Sequence, residues 1–189
     1  MNHATAEGPK SMPLDDKQRS VLVNMLTALA LSIVWLGWAA VMGPGFLLPP
    51  ADITSPFVWA LTWDGGLLIC LIIAIGNLAR HRFMTPADID GSGLTSGTDR
   101  AHVYQAILQN TLEQTVIAVL AHLFWASVMP FGAQGALPVA VMLFVIGRIC
   151  FARGYAGGAG ARAFGFALTF YPTVIMTVSA LLWTVWRGF

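Results

Sequence analysis

The chain has 189 residues, of which 57% are hydrophobic and 10% are charged, and its formal net charge is +1. About a quarter of the residues of a typical soluble domain are charged. The composition therefore excludes a soluble globular domain and predicts an all-α integral membrane protein. The small net charge argues against a nucleic-acid-binding protein. Cys70 and Cys150 both lie in apolar segments, so they predict no disulfide framework.

Five apolar segments are each long enough to cross the roughly 30 Å hydrocarbon core of a bilayer as a helix. A polar region, residues 1–19, precedes the first of them. The first segment ends at a Gly-Pro-Gly turn and no small-residue cleavage site follows it, which predicts a retained span and not a signal peptide. The five predicted spans cover residues 20–42, 57–80, 103–128, 136–155 and 163–186.

Basic residues alternate between the segments that flank these spans. Three lie before the first span, three between the second and third, and three around the turn between the fourth and fifth, whereas the first and third links have none. Because Lys and Arg favour cytoplasmic loops, we expect the N-terminus in the cytoplasm and the C-terminus on the opposite side. The retained first span and the absence of soluble domains suggest the inner membrane of a bacterium or an internal membrane of a eukaryote, of which we favour the bacterial one. All seven tryptophans lie toward the predicted outer ends, as in an aromatic belt.

The third span carries a polar stripe. Gln105, Gln109 and Glu113 recur every four residues and so share one side of a helix, with Asn110 and Gln114 flanking them. An ionisable side chain near the middle of a membrane is costly and must face protein or water. The stripe therefore predicts a functional site, although interhelical hydrogen bonds alone would explain the amides.

Basic residues at the end of the fourth span are the natural partners of that stripe. Arg148 and Tyr155 are seven residues apart, which places them on one helix face, and we expect Arg148 to meet Glu113. Arg153, closer to the helix end, is expected to reach the headgroups. The Gly-rich segment 154–162 predicts a tight link, and backbone N–H groups at the start of the fifth span are able to attract an anion.

Isolated polar residues elsewhere in the spans suggest packing. His122 lies off the polar stripe and is expected to be a satisfied packing histidine. Asp64, beside Trp63, is expected to have a packing or interfacial role. His81 and His102, in the predicted cytoplasmic link, are too isolated to predict a metal site.

Several short motifs, taken in order, resemble the MAPEG family, the membrane-associated proteins in eicosanoid and glutathione metabolism. The resemblance covers about residues 60–186 and predicts a four-helix domain over 57–186, with the span at 20–42 as an addition. The motifs are Phe83-Met-Thr-Pro-Ala-Asp88, Asn110-Thr-Leu-Glu113, Arg148 with Tyr155, and Arg162 with Pro172.

The resemblance implies a homotrimer that binds glutathione between neighbouring protomers at the cytoplasmic side. Asn110 and Glu113 match the family's glutathione ligands, with Gln109 beside them, and Arg148 matches a further ligand. Arg162, which matches the arginine that steadies the glutathione thiolate, and Tyr155 are the implied catalytic residues. Nearby arginine lowers the pKa of a thiol and favours its nucleophilic form. The implied activity is a glutathione-dependent transferase or peroxidase that acts on lipophilic electrophiles entering from the membrane lipids.

Departures from the family pattern keep other hypotheses open. Residues that are basic or polar in many members are replaced here by Ala106, Gln109, Phe151 and Ala163. The family also includes a lipid-binding member that assists an enzyme without catalysing a reaction, so a non-catalytic lipid-binding or scaffold protein is the alternative function. A small transporter or proton carrier that uses Glu113 is a third hypothesis.

Overall fold

The fold is described by a computed structural model that covers residues 14–53, 55–91 and 93–188. Within these residues the protein is all-helical, and five long apolar helices are each able to cross a membrane by length and composition, which confirms the predicted fold class. The helices are α1 Asp16–Met42, α2 Pro56–Met84, α3 Asp99–Val128, α4 Ala136–Gly154 and α5 Ala159–Arg187.

Polar capping residues place several helix starts before the predicted apolar spans. Asp15 and Gln18 form a reciprocal capping box at the start of α1, with bonds of 2.6 and 3.0 Å. Thr98 caps α3 by accepting the N–H of Ala101 at 3.3 Å. Hydropathy does not register these turns because their side chains are polar.

Helix α5 is the centre of the bundle and packs chiefly against α4, α1 and α3, whereas α2 packs against α3 and α4. The additional helix, α1, buries Ala28, Ser32, Leu36 and Ala39. Near its start, Asn24 donates its Nδ2 hydrogen to the carbonyl of Gly160 at 3.2 Å. The start of α1 therefore contacts the start of α5. We call this end of the bundle, where α2 and α4 also end and α3 begins, the basic end.

Two facing glycines allow α4 and α5 to approach closely at that end. A Cβ on Gly147 would lie 2.6 Å from Thr169 Cγ2 and 3.0 Å from the Gly165 carbonyl oxygen. A Cβ on Gly165 would lie 2.7 Å from both the Gly147 carbonyl oxygen and Phe151 Cα. Small residues at such a crossing let two membrane helices pack backbone against backbone. The contact brings Thr169 of α5 beside the segment that contains Arg148.

At the opposite end, a buried polar pair joins α2 to α3. His122 Nδ1 and Asp64 Oδ1 are 2.5 Å apart, and both residues are buried. Asp64 supplies a partner for His122, which confirms the expected packing role of this histidine. No local pattern in the sequence indicates this pairing, because the two residues are separated by 58 positions.

The link between α2 and α3 is held by Asp88, whose side chain is only 2% exposed. Its carboxylate accepts the backbone N–H of Thr98 at 2.8 Å and the Thr98 hydroxyl at 2.7 Å, and lies 2.9 Å from His81 Nε2. The bonds from Thr98, followed by the interaction with His81, hold the pKa of Asp88 below its ordinary value. The network fixes where α3 begins relative to the end of α2.

We expect Asp88→Asn to lower thermal stability at neutral pH, because an amide cannot accept the same set of charge-assisted bonds. Since the folded pKa of Asp88 is lowered, its contribution is complete above about pH 4 and is lost as the pH falls through the folded pKa. The difference in melting temperature between wild type and variant, measured in detergent from pH 7 down to pH 3, should therefore shrink. Asp90→Asn, an exposed change two residues away, is the control, and a constant difference across the titration would contradict the assignment.

Candidate functional site

Two arginines at the basic end are joined by a column of aromatic rings. The Arg148 guanidinium lies 4.4 Å from the centroid of the Phe151 ring, and the Phe151 and Tyr155 rings meet edge to face at 5.3 Å. The Arg162 guanidinium lies 4.6 Å from the centroid of Tyr155. Cation–π contacts of this kind hold a guanidinium without neutralising its charge. The column therefore orients Arg162 of α5 over the last turn of α4 and leaves its charge available.

Arg148 is held by three neutral acceptors. Its Nη1 donates to Asn110 Oδ1 at 2.8 Å and, at 3.5 Å, to Thr111 Oγ1, and its Nη2 donates to Thr169 Oγ1 at 3.0 Å. The side chain is only 5% exposed, and its Nε has no hydrogen-bond partner. No carboxylate of the described residues pairs with this guanidinium. A buried cation without a counterion favours an anion from outside the protomer.

The predicted contact between Arg148 and Glu113 is wrong. Glu113 lies on the exposed surface of α3 and accepts the Nε2 hydrogen of Gln109 at 2.9 Å. Asn110, one helical turn closer to the basic end, takes the place expected for Glu113. The two side chains do not meet because they lie on different sides of α3. Arg148 lies at the junction of α3, α4 and α5, whereas the Glu113 side chain points away from that junction.

The predicted site residues thus form two groups in one protomer. Asn110 and Arg148 are bonded inside the bundle, and the aromatic column connects Arg148 to Tyr155 and Arg162. Gln109 and Glu113 form a separate polar pair on the outer surface of α3. Gln105, from the same predicted stripe, accepts Arg82 Nη2 at 3.1 Å.

The structure adds two residues to the site that the sequence pattern does not predict there. Phe151 connects the two arginines, and its position three residues after Arg148 on one helix face was the available signal. Thr169 bonds Arg148 across the α4–α5 contact, and nothing in the chain order indicates that bond. Among the described residues, no cluster of His, Cys, Asp and Glu has the makings of a metal site.

The fold and the basic site define a class of protein: an integral membrane helix bundle in which Arg148 and Arg162, at one end, have no carboxylate partner among the described residues. Within that class, the MAPEG family matches residues 57–182, which is most of the chain, and the protein belongs to this family. The match leaves α1 outside the family domain. Members include glutathione transferases and related enzymes, commonly use glutathione and are typically trimeric. Comparison with individual curated proteins and with solved structures gives no match.

Proposed function

We propose that the protein is a membrane-embedded glutathione-dependent transferase or peroxidase acting on lipophilic electrophiles. The observation that carries the proposal is the pair of guanidiniums at the end of α4 and the start of α5, Arg148 and Arg162, for which the described residues supply no carboxylate. Glutathione brings two carboxylates, an ammonium and a thiol. Guanidinium groups bind carboxylates through paired hydrogen bonds.

Each residue of the site has a distinct role in this proposal. Arg162, oriented by Tyr155, lies beside the glutathione sulfur and stabilises the thiolate, which is the nucleophilic form. The Tyr155 hydroxyl donates a hydrogen bond to the same sulfur. Asn110, fixed by Arg148, binds the peptide part of glutathione.

In a transfer, the thiolate forms a C–S bond with an electrophilic carbon of a substrate that reaches the site through the bilayer, and the leaving group departs with the bonding electron pair. In a peroxidase reaction, the thiolate forms an S–O bond as the O–O bond of the peroxide breaks, and the released alkoxide takes up a proton. A second glutathione thiolate then attacks the oxidised sulfur and displaces hydroxide, which leaves as water, to give glutathione disulfide.

Glu113 and Gln109 fit this proposal if protomers assemble so that a neighbour covers the two side chains. A carboxylate exposed in the middle of a membrane helix is costly, by about 3 kcal/mol on insertion scales. Coverage by a second protomer removes that cost and supplies a cation or the glutathione ammonium as a partner. A homotrimer, with the pair on the boundary between protomers, accounts for the exposed position of Glu113.

A non-catalytic lipid-binding or scaffold protein is the second function that a specific observation favours. Phe151 and Ala163 are both buried, and neither contributes a polar group to the site. The glutathione site proposed here therefore has fewer hydrogen-bonding partners than the family pattern implies. In this alternative, the helix bundle catalyses no thiol-dependent reaction, and its function is to bind lipid.

We expect a glutathione titration to raise the melting temperature of the detergent-purified protein. A ligand that binds only the folded state stabilises it by about 2.7 kcal/mol at a hundredfold excess over its dissociation constant. Glu113→Gln should abolish the shift, whereas Gln105→Glu, a change on the same helix outside the proposed ligand set, should retain it. Wild-type protein that shows no saturable shift at millimolar glutathione would contradict glutathione binding and leave the lipid-binding function.

A further inference from the structure

The first turn of α5, which carries Arg162, begins without a side-chain cap. Its N-cap residue is Gly158, which has a φ of 89° and no side chain to bond the free N–H groups of the turn. Uncapped helix ends fray, because their first N–H groups have no partner within the helix. Contacts with other elements therefore decide how firmly this turn, and Arg162 with it, is held.

The end of α4 and the link after it pack against one side of this turn. A Cβ on Gly154 would overlap the Ala161 carbonyl and lie 3.1 Å from the Arg162 backbone nitrogen. A Cβ on Gly157 would lie 2.9 Å from the Ala161 Cβ. Small residues allow such an approach of one backbone to another. The same link contains Tyr155, whose ring centroid lies 4.6 Å from the Arg162 guanidinium.

Helix α1 packs against a different side of the turn. Asn24 Nδ2 donates to the Gly160 carbonyl at 3.2 Å and to the Ser20 carbonyl of its own helix at 3.0 Å. A Cβ on Gly160 would lie 2.8 Å from Ser20 Oγ. Residues 160 and 162 are about 200° apart around a helix, so α1 contacts the side of the turn away from the Arg162 side chain. We call the contact of Asn24 and Ser20 with Gly160 the α1 contact.

We propose that α1 completes the reaction site, with Asn24 as a positioning residue that holds the first turn of α5 and thereby keeps the Arg162 guanidinium against Tyr155. The inference rests on the proposed function for the chemistry at Arg162, whereas the α1 contact is testable without glutathione. Asn24 acts through the backbone of α5 and not on the glutathione sulfur. Because it lies outside residues 57–182, which match the family, this support comes from the additional helix.

Modification of arginine measures the position of Arg162 without any ligand. Phenylglyoxal reacts with accessible guanidinium groups, and peptide mass spectrometry follows each arginine separately. Asn24→Leu removes the amide donor and keeps a branched side chain. We expect modification of Arg162 to become about fivefold faster, which corresponds to about 1 kcal/mol, the usual net contribution of one hydrogen bond. Modification of Arg148, which is buried, should stay slow and reports any general loosening of the bundle.

Thr27→Val is the matched control on α1. Thr27 is exposed, and its hydroxyl donates to the Val23 carbonyl of the same helix at 2.9 Å. This variant also loses a side-chain hydrogen bond on α1, but the bond does not reach α5. Modification of Arg162 should therefore keep its wild-type rate.

A reversible cross-link tests whether the α1 contact, and not the substitution itself, sets the rate. A Cβ at position 160 would lie 3.4 Å from Ser20 Cβ, close to the distance of about 3.8 Å between the Cβ atoms of a disulfide. Ser20→Cys with Gly160→Cys, added to Asn24→Leu in a background without the two native cysteines, should form a disulfide that returns the Arg162 rate to its wild-type value. Reduction with a phosphine should raise the rate again.

The proposed reaction gives a separate readout. Displacement of Arg162 weakens stabilisation of the thiolate and leaves the ligands of the peptide part in place. Asn24→Leu should therefore lower kcat by about fivefold at neutral pH with the KM for glutathione unchanged. Because a cation lowers the pKa of a nearby thiol, the loss should shrink as the pH rises.

Each outcome decides the proposal. Faster modification of Arg162 that the cross-link reverses, together with the loss of kcat, supports it. Unchanged modification of Arg162 in Asn24→Leu would overturn it, and so would equal acceleration at Arg148. Displacement of Arg162 with a wild-type kcat and pH profile would also overturn it and leave α1 as a helix that only packs. Wild-type protein without glutathione-dependent turnover would instead contradict the proposed function, while the modification rates would still decide whether α1 holds Arg162.

Discussion

Arg162→Ala is expected to lower glutathione-dependent turnover by about 100-fold, a loss typical of removing one preorganised group that stabilises an anion at a reaction centre. The residue is half-buried and contacts the Tyr155 ring, so its removal should leave the bundle folded. Because a nearby cation lowers the pKa of a thiol, its loss raises that pKa, and the activity of the variant should recover as the pH rises. Turnover with a lipophilic electrophile, measured across pH, gives both results.

Arg153→Ala is the matched control for this prediction. Arg153 lies in the last turn of α4, is exposed, and makes no hydrogen bond or ionic contact with the described residues. It should therefore change turnover little. The ultraviolet absorbance of the thiolate in the glutathione complex provides an independent readout, which should decrease in Arg162→Ala and persist in Arg153→Ala. An unchanged rate and pH profile in Arg162→Ala would remove Arg162 from the mechanism.

The second large effect is expected for Gly165→Ala. The added Cβ would lie 2.7 Å from both the Gly147 carbonyl oxygen and Phe151 Cα, which are backbone atoms that cannot move aside independently. Overpacking of this kind commonly costs 1–3 kcal/mol, and we expect about 3 kcal/mol here. The melting temperature in detergent should fall, and the displaced Thr169 should weaken the position of Arg148. Unfolding in mixed micelles gives the free energy.

Gly76→Ala separates this effect from helix propensity. Gly76 lies in α2 with no atom within 4 Å of the position its Cβ would occupy. Alanine is favoured over glycine in a helix by about 1 kcal/mol, so this control should be neutral or stabilising. Equal melting temperatures for Gly165→Ala and wild type would show that α4 and α5 adjust without cost, and would contradict a fixed backbone contact.

The polar residues of α3 show which features of the site were predictable from the sequence. Their spacing identified one polar region, and the resemblance of Asn110, Arg148, Tyr155 and Arg162 to a family motif identified the family that the full comparison confirms. The roles of these residues in glutathione binding stay predictions. The partner of Arg148 was assigned to Glu113 instead of Asn110, because spacing along one helix does not say which of two neighbouring residues faces another helix.

The number, approximate position and membrane character of the helices were determined by the sequence alone, because apolar runs of about 20 residues are a local property that the bilayer itself selects. Only the tertiary structure decided which polar groups meet. Asp64 with His122, Arg148 with Thr169, and the approach of Gly147 to Gly165 all join different helices. Such contacts depend on how helices rotate and cross, which is fixed by packing of small side chains against neighbouring backbones and not by the pattern within any one helix.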